Sequence, residues 1–341
     1  MDTETLLTKE QYLSIVESYR KKVDRPLTDC MHPGCMCKPI FSHVFQKNGI
    51  LSSIATNSKV YMLDYRDLFS FSRGETPVRY KLDSINNCFG FYGFCAKHDN
   101  VLFLEIENKQ DIDWTDDRVQ YLLAYRTICR EVYVNLQVIE ILRSIKDTIR
   151  FEDQSIPIGI CVELSNRKVT LDVMLQYKTM LEESLLNEDY SKYEFRCLCH
   201  PFKLGLCLAS PICISEESAP LYFGPPKDDI DDTVNIVNIF PYRGRTMIIM
   251  GFLNGKPNYW AENIYDKMRS ADICEIASGL QDVLFRSEFH CLSTELYEAI
   301  SSKVPLFIDE WLMNSSNYSL NILYHSNLFE DYIMQQLGYN Y

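Results

Sequence analysis

The stretch "DWTDDRVQYLLAYRTICREVYVNLQVIEILRSIKDT" constrains the architecture of this 341-residue chain more than any other. Leu122, Tyr125, Ile128, Cys129, Val132, Leu136, Ile139 and Leu142 recur at helical spacing and make one apolar stripe. Thr115 is placed to cap the helix, and Asp116 and Asp117 fall in its first turn, where the helix dipole favours acids. A helix of roughly 33 residues is about 50 Å long. That length predicts a strut, residues 108–150, joining a module at 1–107 to a domain at 151–341.

The flanking segments read as a mixture. "TKEQYLSIVESYRKKV" predicts a helix over 9–23, with Thr8 and Gln11 as a capping box and Pro26 beyond its end. "GILSSIAT" predicts a short helix, and "KVYMLDY" and "PVRYKLDS" alternate as strands do. After residue 150, "VTLDVMLQYKTMLEESLL" is an amphipathic helix and "EFRCLCHPFKLGLCLASPICIS" is rich in strand formers. "TVNIVNIFPYRGRTMIIMGFLN" reads as two strands about a turn. "DICEIASGLQDVLFRS", "STELYEAISS" and the tail beyond Pro305 read as helices. Strands followed by helices, without regular βαβ alternation, predict an α+β fold.

The formal net charge is −13. A chain that grips nucleic acid alone usually carries a basic face, because neutralised phosphates supply much of the affinity. Here "PPKDDIDDTVN" and "NKQDIDWTDD" are acidic, and Lys and Arg are scattered. The balance disfavours autonomous nucleic-acid binding and suits a protein partner that supplies the basic surface. No stretch approaches the ~20 apolar residues of a membrane span, and "MDTETLLTKEQYLSIVESYRKK" lacks the pattern of a secretory signal. The expected setting is the cytoplasm, with no membrane partner. There, thirteen cysteines, an odd number, read as thiols or metal ligands and not as a disulfide framework.

Those cysteines point to one candidate metal site. "CMHPGCMCKPIFSH" sets Cys30 and Cys35 on either side of a His-Pro-Gly turn, which brings two thiolates to one face. Well downstream, "GFCAKHDN" offers Cys95 and His98 as a second close pair. Two such pairs, separated by a longer segment, are the plan of a structural Zn2+ site, in which the metal closes a loop that a small core could not hold. His32 and Cys37 compete for the same role. The alternative is a set of buried thiols with a polar histidine in a turn.

The layout of Cys30 and Cys35, then "SHVFQKN", then Cys95-x2-His98, resembles the HNH endonuclease family over residues 27–107. The resemblance implies a treble-clef-like zinc module in which His43 is the general base that activates water. It also implies a catalytic Mg2+ or Mn2+, held by an acid beside that histidine and a residue on the following helix. Ser42 stands where the family has Asp, and Asp99 and Asn100 are the candidates to replace it. The segment between His43 and Cys95 is longer than the family's. The same layout is similar to that of uncharacterised bacterial proteins with a Cys-Cys knuckle, a Ser-His segment and an "FC-x-x-HD-x-x-LF" segment, company that suggests bacterial defence. His43 alternatively serves as an extra metal ligand, or only orients a turn.

Other groups carry weaker signals. Cys197, Cys199, His200 and Cys207 in "RCLCHPFKLGLC" offer a second metal site or, more simply, a buried strand using thiols as small hydrophobes. Arg243 and Arg245 flank Gly244 in a turn that can grip a phosphate or stay solvated. His290 lies beside Glu288 and Cys291, a possible Cys–His pair. "FGPPKDDIDD" lacks the Gly and closing Glu of an EF-hand loop. No Walker A, G-x-G-x-x-G, G-x-S-x-G or H-E-x-x-H motif occurs. Three functions follow: a zinc-stabilised module that recognises a protein or nucleic-acid partner, a metal-dependent nuclease using His43, or a small-molecule enzyme or sensor in the C-terminal part.

Overall fold

A computed structural model describes residues 29–65, 78–107, 111–148, 155–214, 233–255, 259–287, 289–314 and 327–338. The expected helix at 9–23 and the acidic "FGPPKDDIDD" segment lie outside them. The fold is mixed α+β, with antiparallel sheets.

Strand β1 (Phe41–His43) pairs antiparallel with β4 (Gly90–Tyr92), setting His43 opposite Gly90. Between them, a π-helical turn, Lys47–Leu51, runs into Ser52–Ile54, where "GILSSIAT" predicts helix. The hairpin of β2 (Lys59–Tyr65) and β3 (Val78–Ser84) follows. Helix α1 (Ala96–Leu102) and a short helix α2 (Leu104–Glu107) come after β4. The long helix α3 spans Asp117–Thr148, and α4 (Ser155–Asn187) returns alongside it. The "VTLDVMLQYKTMLEESLL" stripe is only the second half of α4. Pro157 sits in its first turn, where proline removes no helical hydrogen bond.

Among the described residues the large sheet has seven strands. To β2 and β3 it adds β5 (Tyr193–His200), β6 (Leu206–Ile214), β7 (Thr233–Tyr242), β8 (Arg245–Leu253) and β9 (His290–Leu292), in the order β3-β2-β9-β6-β7-β8-β5. The hairpin β2–β3 enters this sheet through β9, where Tyr61 pairs with Leu292 and Met62 with Cys291. Among the described residues, Pro211 lies within β6 beyond the reach of β9, which pairs Leu206, Cys207 and Leu208. A strand position with one neighbour tolerates a missing N–H.

Both faces of the sheet are covered. Along β7, Val234, Ile236 and Phe240 pack with one core, and Val237 and Ile239 with the other. This explains why "TVNIVNIF" and "TMIIMGFL" are near-continuous apolar runs. The first core holds α3, α4 and the β1–β4 region. The second holds the helices α5 (Tyr259–Met268), α6 (Ile273–Phe285), α7 (Thr294–Ile300), α8 (Val304–Asn314) and α9 (Glu330–Gln336). From Tyr121 to Cys129 helix α3 is buried all round, more deeply than a one-sided stripe requires.

Candidate metal cluster and the adjoining cavity

The turn at Cys30–Cys37 is closed by backbone bonds from Cys30 N–H to Cys37 O (2.9 Å) and from Cys35 N–H to His32 O (3.1 Å). Gly34 takes a positive φ of 70°, which L side chains rarely adopt. Cys95 is the N-cap position of α1, and His98 follows one turn later. The N–H of Cys95 donates to Cys30 Sγ at 3.2 Å, linking the two halves of the cluster.

One ligand atom each from Cys30, Cys35, Cys95 and His98 lies within 4.8 Å of the others. Cys35 Sγ and Cys95 Sγ are 3.9 Å apart, and His98 Nδ1 lies 3.5 Å from Cys30 Sγ and 3.4 Å from Cys95 Sγ. A tetrahedral zinc, with Zn–S of ~2.3 Å and Zn–N of ~2.05 Å, separates two sulfurs by about 3.8 Å and a sulfur from a nitrogen by about 3.5 Å. The donor set and its edges therefore fit Zn2+. All four positions are protein ligands, the arrangement of a closed structural site. Burial lowers the affinity of His98 for a proton and the His98 backbone N–H lowers that of the Cys95 thiol, both of which favour the metal-binding forms, whereas burial pushes the Cys30 thiol up to about 11, which opposes them. Of the competing residues, His32 stacks on His98 (3.8 Å between centroids, 9° between planes), and Cys37 is exposed outside the quartet. The arrangement can hold a metal ion through three thiolates and an imidazole.

Beside the cluster lies a cavity of about 250 Å³. His43 reaches it from β1, Asp99 from α1, Glu107 from the end of α2, Arg126 from α3 and Lys47 from the π-helical turn. His43 Nε2 donates to the Asn86 carbonyl at 3.1 Å, so Nδ1 is the proton-accepting nitrogen of the neutral ring. Burial lowers the pKa of His43, with Lys47 and Arg126 adding to the effect. Asn86 also accepts from Lys47 Nζ through its side chain (3.1 Å). Ser42 adds a buried hydroxyl with no hydrogen-bond partner among the described residues.

Arg126 is 1% exposed and bridges the two acids. It donates to Asp99 Oδ1 (2.9 Å) and to Glu107 Oε1, and its guanidinium lies 4.4 Å from the Phe103 ring centroid. These residues do not fit the Mg2+ or Mn2+ that the HNH resemblance implies. Both carboxylates already hold a cation, and Ser42 supplies no third acid. A dication about 4 Å from a fixed guanidinium costs roughly 8 kcal/mol at an effective dielectric of ~20. Asn100 is exposed and does not line the cavity, so of the two proposed acid replacements only Asp99 reaches it.

Lys47, Glu107 and Arg126 are the cavity residues that sequence reasoning missed. Arg126 carried a signal: a charge four residues after Leu122 and three before Cys129 sits inside an apolar stripe, where an unpaired charge is not tolerated.

The weaker candidates do not assemble. Cys197 and Cys199 lie on edge strand β5, separated from Cys207 of β6 by β8 and β7. Arg243 pairs with Asp111, and Arg245 lies 3.8 Å from Cys199 Sγ, so the two arginines do not form one grip. His290 is buried between Tyr80 and Ser287, while Cys291 packs in the core on the opposite sheet face, with Cys207 and Cys88. Glu288 lies outside the described residues. No described helix is long and apolar enough to cross a membrane. No family model, curated protein or solved structure matches the chain.

Proposed function

We propose that the region around Cys30–Glu107 is an HNH-like module braced by one structural Zn2+ on Cys30, Cys35, Cys95 and His98. Its working site is the adjoining cavity, where His43 acts as general base in cleaving a phosphodiester bond. The zinc contributes folding energy by closing the loop between its two ligand pairs. The element order supports the reading: a metal-binding turn, a strand bearing the histidine, a returning strand, and a helix that starts on the second ligand pair. The observation that carries it is the convergence of His43 and Asp99 on one cavity, with the ring held through Nε2 and Nδ1 available as a base.

The test is cleavage of single-stranded and duplex nucleic acids by zinc-loaded protein, with and without added Mg2+ or Mn2+. Wild type is compared with His43→Gln. Activity lost in a folded, zinc-loaded variant supports the reading. No cleavage by wild type, or equal cleavage by both, overturns it.

A second reading, recognition of a protein partner that supplies a basic surface, draws on the net charge of −13 and on exposed Met36, Val101 and Leu104 beside the metal cluster. It predicts a zinc-loaded chain that binds such a partner and cleaves nothing.

A further inference from the structure

Three features of the cavity depart from a site built around a divalent cation. Arg126 holds both carboxylates. Lys47 and His43 are fastened to the same residue, Asn86. Two buried polar atoms of cavity-lining residues, Ser42 Oγ and Arg126 Nε, have no partner among the described residues, as expected where a polar ligand completes the set. Asp99 and Glu107 are balanced in charge by Arg126 and Lys47, so the acids do not by themselves repel a phosphate.

The nucleophile then becomes the deciding question. A metal lowers the pKa of its bound water from 15.7 to ~7, and without one, water at neutral pH is a poor nucleophile. A hydroxyl already inside the substrate escapes this limit, because intramolecular attack is worth effective molarities of ~10⁵–10⁸ M. RNA carries that hydroxyl one bond from the ribose C2′ and DNA does not. The half-exposed Phe41 ring, 5.2 Å from His43 and packed over Gly90, offers an unpaired base a face to stack on. A volume of about 250 Å³ is small beside the ~300–1,000 Å³ of ligand clefts and suits one ribose-phosphate unit better than a duplex.

We infer that the cavity cleaves single-stranded RNA by attack of the ribose 2′-hydroxyl, with Arg126 standing where an HNH site holds its divalent cation. The inference rests on the reading that the cavity cleaves phosphodiesters with His43 as base. His43 Nδ1 takes the 2′-hydroxyl proton as the O2′–P bond forms. The P–O5′ bond breaks, and the departing O5′ takes a proton from Lys47 Nζ. The products are a 2′,3′-cyclic phosphate and a 5′-hydroxyl. Both side chains return to their starting states by proton exchange with solvent, and no redox change occurs. Ser42 supplies a donor for the phosphoryl oxygens in the five-coordinate state, and Arg126, held by both acids, supplies positive charge beside them.

The experiment uses the zinc-loaded full chain, a labelled single-stranded RNA oligonucleotide and the same sequence with 2′-deoxyribose. Each is incubated without added divalent ion and then with Mg2+ or Mn2+. The expected result is RNA cleavage in both conditions, an intact deoxy substrate, a product end lighter than a linear phosphate by one water, and a loss of at least ~100-fold in His43→Gln. A Mn2+ titration read by electron paramagnetic resonance is expected to find no site at Asp99. DNA cleavage that needs Mg2+ or Mn2+, or a one-to-one Mn2+ site abolished by Asp99→Asn, overturns this inference and leaves the phosphodiesterase reading standing. Cleavage of neither substrate in any condition overturns both.

Discussion

Replacing Arg126 by methionine tests whether its two ion pairs organise the module. Methionine keeps an apolar stem against Phe103 and removes the cation from Asp99 and Glu107. Removing one partner of a buried pair costs about 3–5 kcal/mol, because the other charge stays buried and uncompensated. The Asp99 side chain, at 11% exposure, takes most of that penalty, and Glu107, at 24%, recovers part of its hydration. The cation–π contact with Phe103 adds about 1 kcal/mol, and methionine's own packing offsets a similar amount. The net expectation is about 4 kcal/mol. With an unfolding entropy of ~2.1 cal/mol/K per residue, a chain of this length loses about 6 °C in Tm.

The assay is calorimetry on zinc-loaded protein, with zinc content measured for each variant. A double-mutant cycle with Asp99→Asn isolates the electrostatic part: Arg126→Met in the Asp99→Asn background is expected to cost about half as much as in wild type. A single variant within ~1 kcal/mol of wild type, or costs that add without coupling, refutes the claim that the two carboxylates depend on Arg126.

Three further outcomes are expected. Elemental analysis should find one zinc per chain, lost in Cys95→Ser and retained in Cys37→Ser; equal loss in both would place Cys37 in the ligand set. Burial pushes the pKa of His290 down to about 4, while Tyr80 donates to its Nε2 at 2.5 Å and its Nδ1 donates to the Ser287 carbonyl. The unfolded chain then binds the extra proton between pH 6.5 and 4, so stability falls by roughly 3 kcal/mol as pH drops through that window. Denaturant unfolding of His290→Gln should lack this slope, and an unchanged slope would assign it to other groups. His43 is also lowered by burial, so its NMR titration midpoint should fall below 6.5 and cleavage should rise with pH through that midpoint. A midpoint above 6.5 would remove the case for a neutral base at pH 7.

The convergence of Cys30, Cys35, Cys95 and His98 was legible because each pair is local. Cys30 and Cys35 flank a turn that Pro33 and Gly34 announce, and Cys95 and His98 are one helical turn apart, so each pair is close before any tertiary structure forms. The β7–β8 hairpin was legible for the same reason: Arg243 and Gly244, both at positive φ, make the tight turn between its strands. Strand β9 was not. Three residues between helices carry no readable period, yet they join the β2–β3 hairpin to the rest of the sheet. The depth of α3 was also hidden, since a stripe on one face does not reveal that a sheet, a second helix and the β1–β4 region all close on it. Glu107 escaped notice because its role depends on Arg126, nineteen residues away in sequence.

A metal bound to the quartet would tie the two sites together mechanically. Helix α1 has seven residues, well under the ~12–15 at which isolated helices become even marginal in water. Its first turn carries Cys95 and His98 of the candidate metal cluster, and the Asp99 N–H closes that turn on the Cys95 carbonyl at 2.9 Å. A metal on the quartet would fix the start of the helix and with it the position of Asp99 against Arg126. On the other side of the cavity, β1 runs on from the same metal-binding turn, and its pairing with β4 places His43 opposite Gly90. A zinc ion that takes no part in the reaction would thus set the distance between base and acid. Loss of zinc would disable the cavity by separating its walls, even with every cavity residue intact.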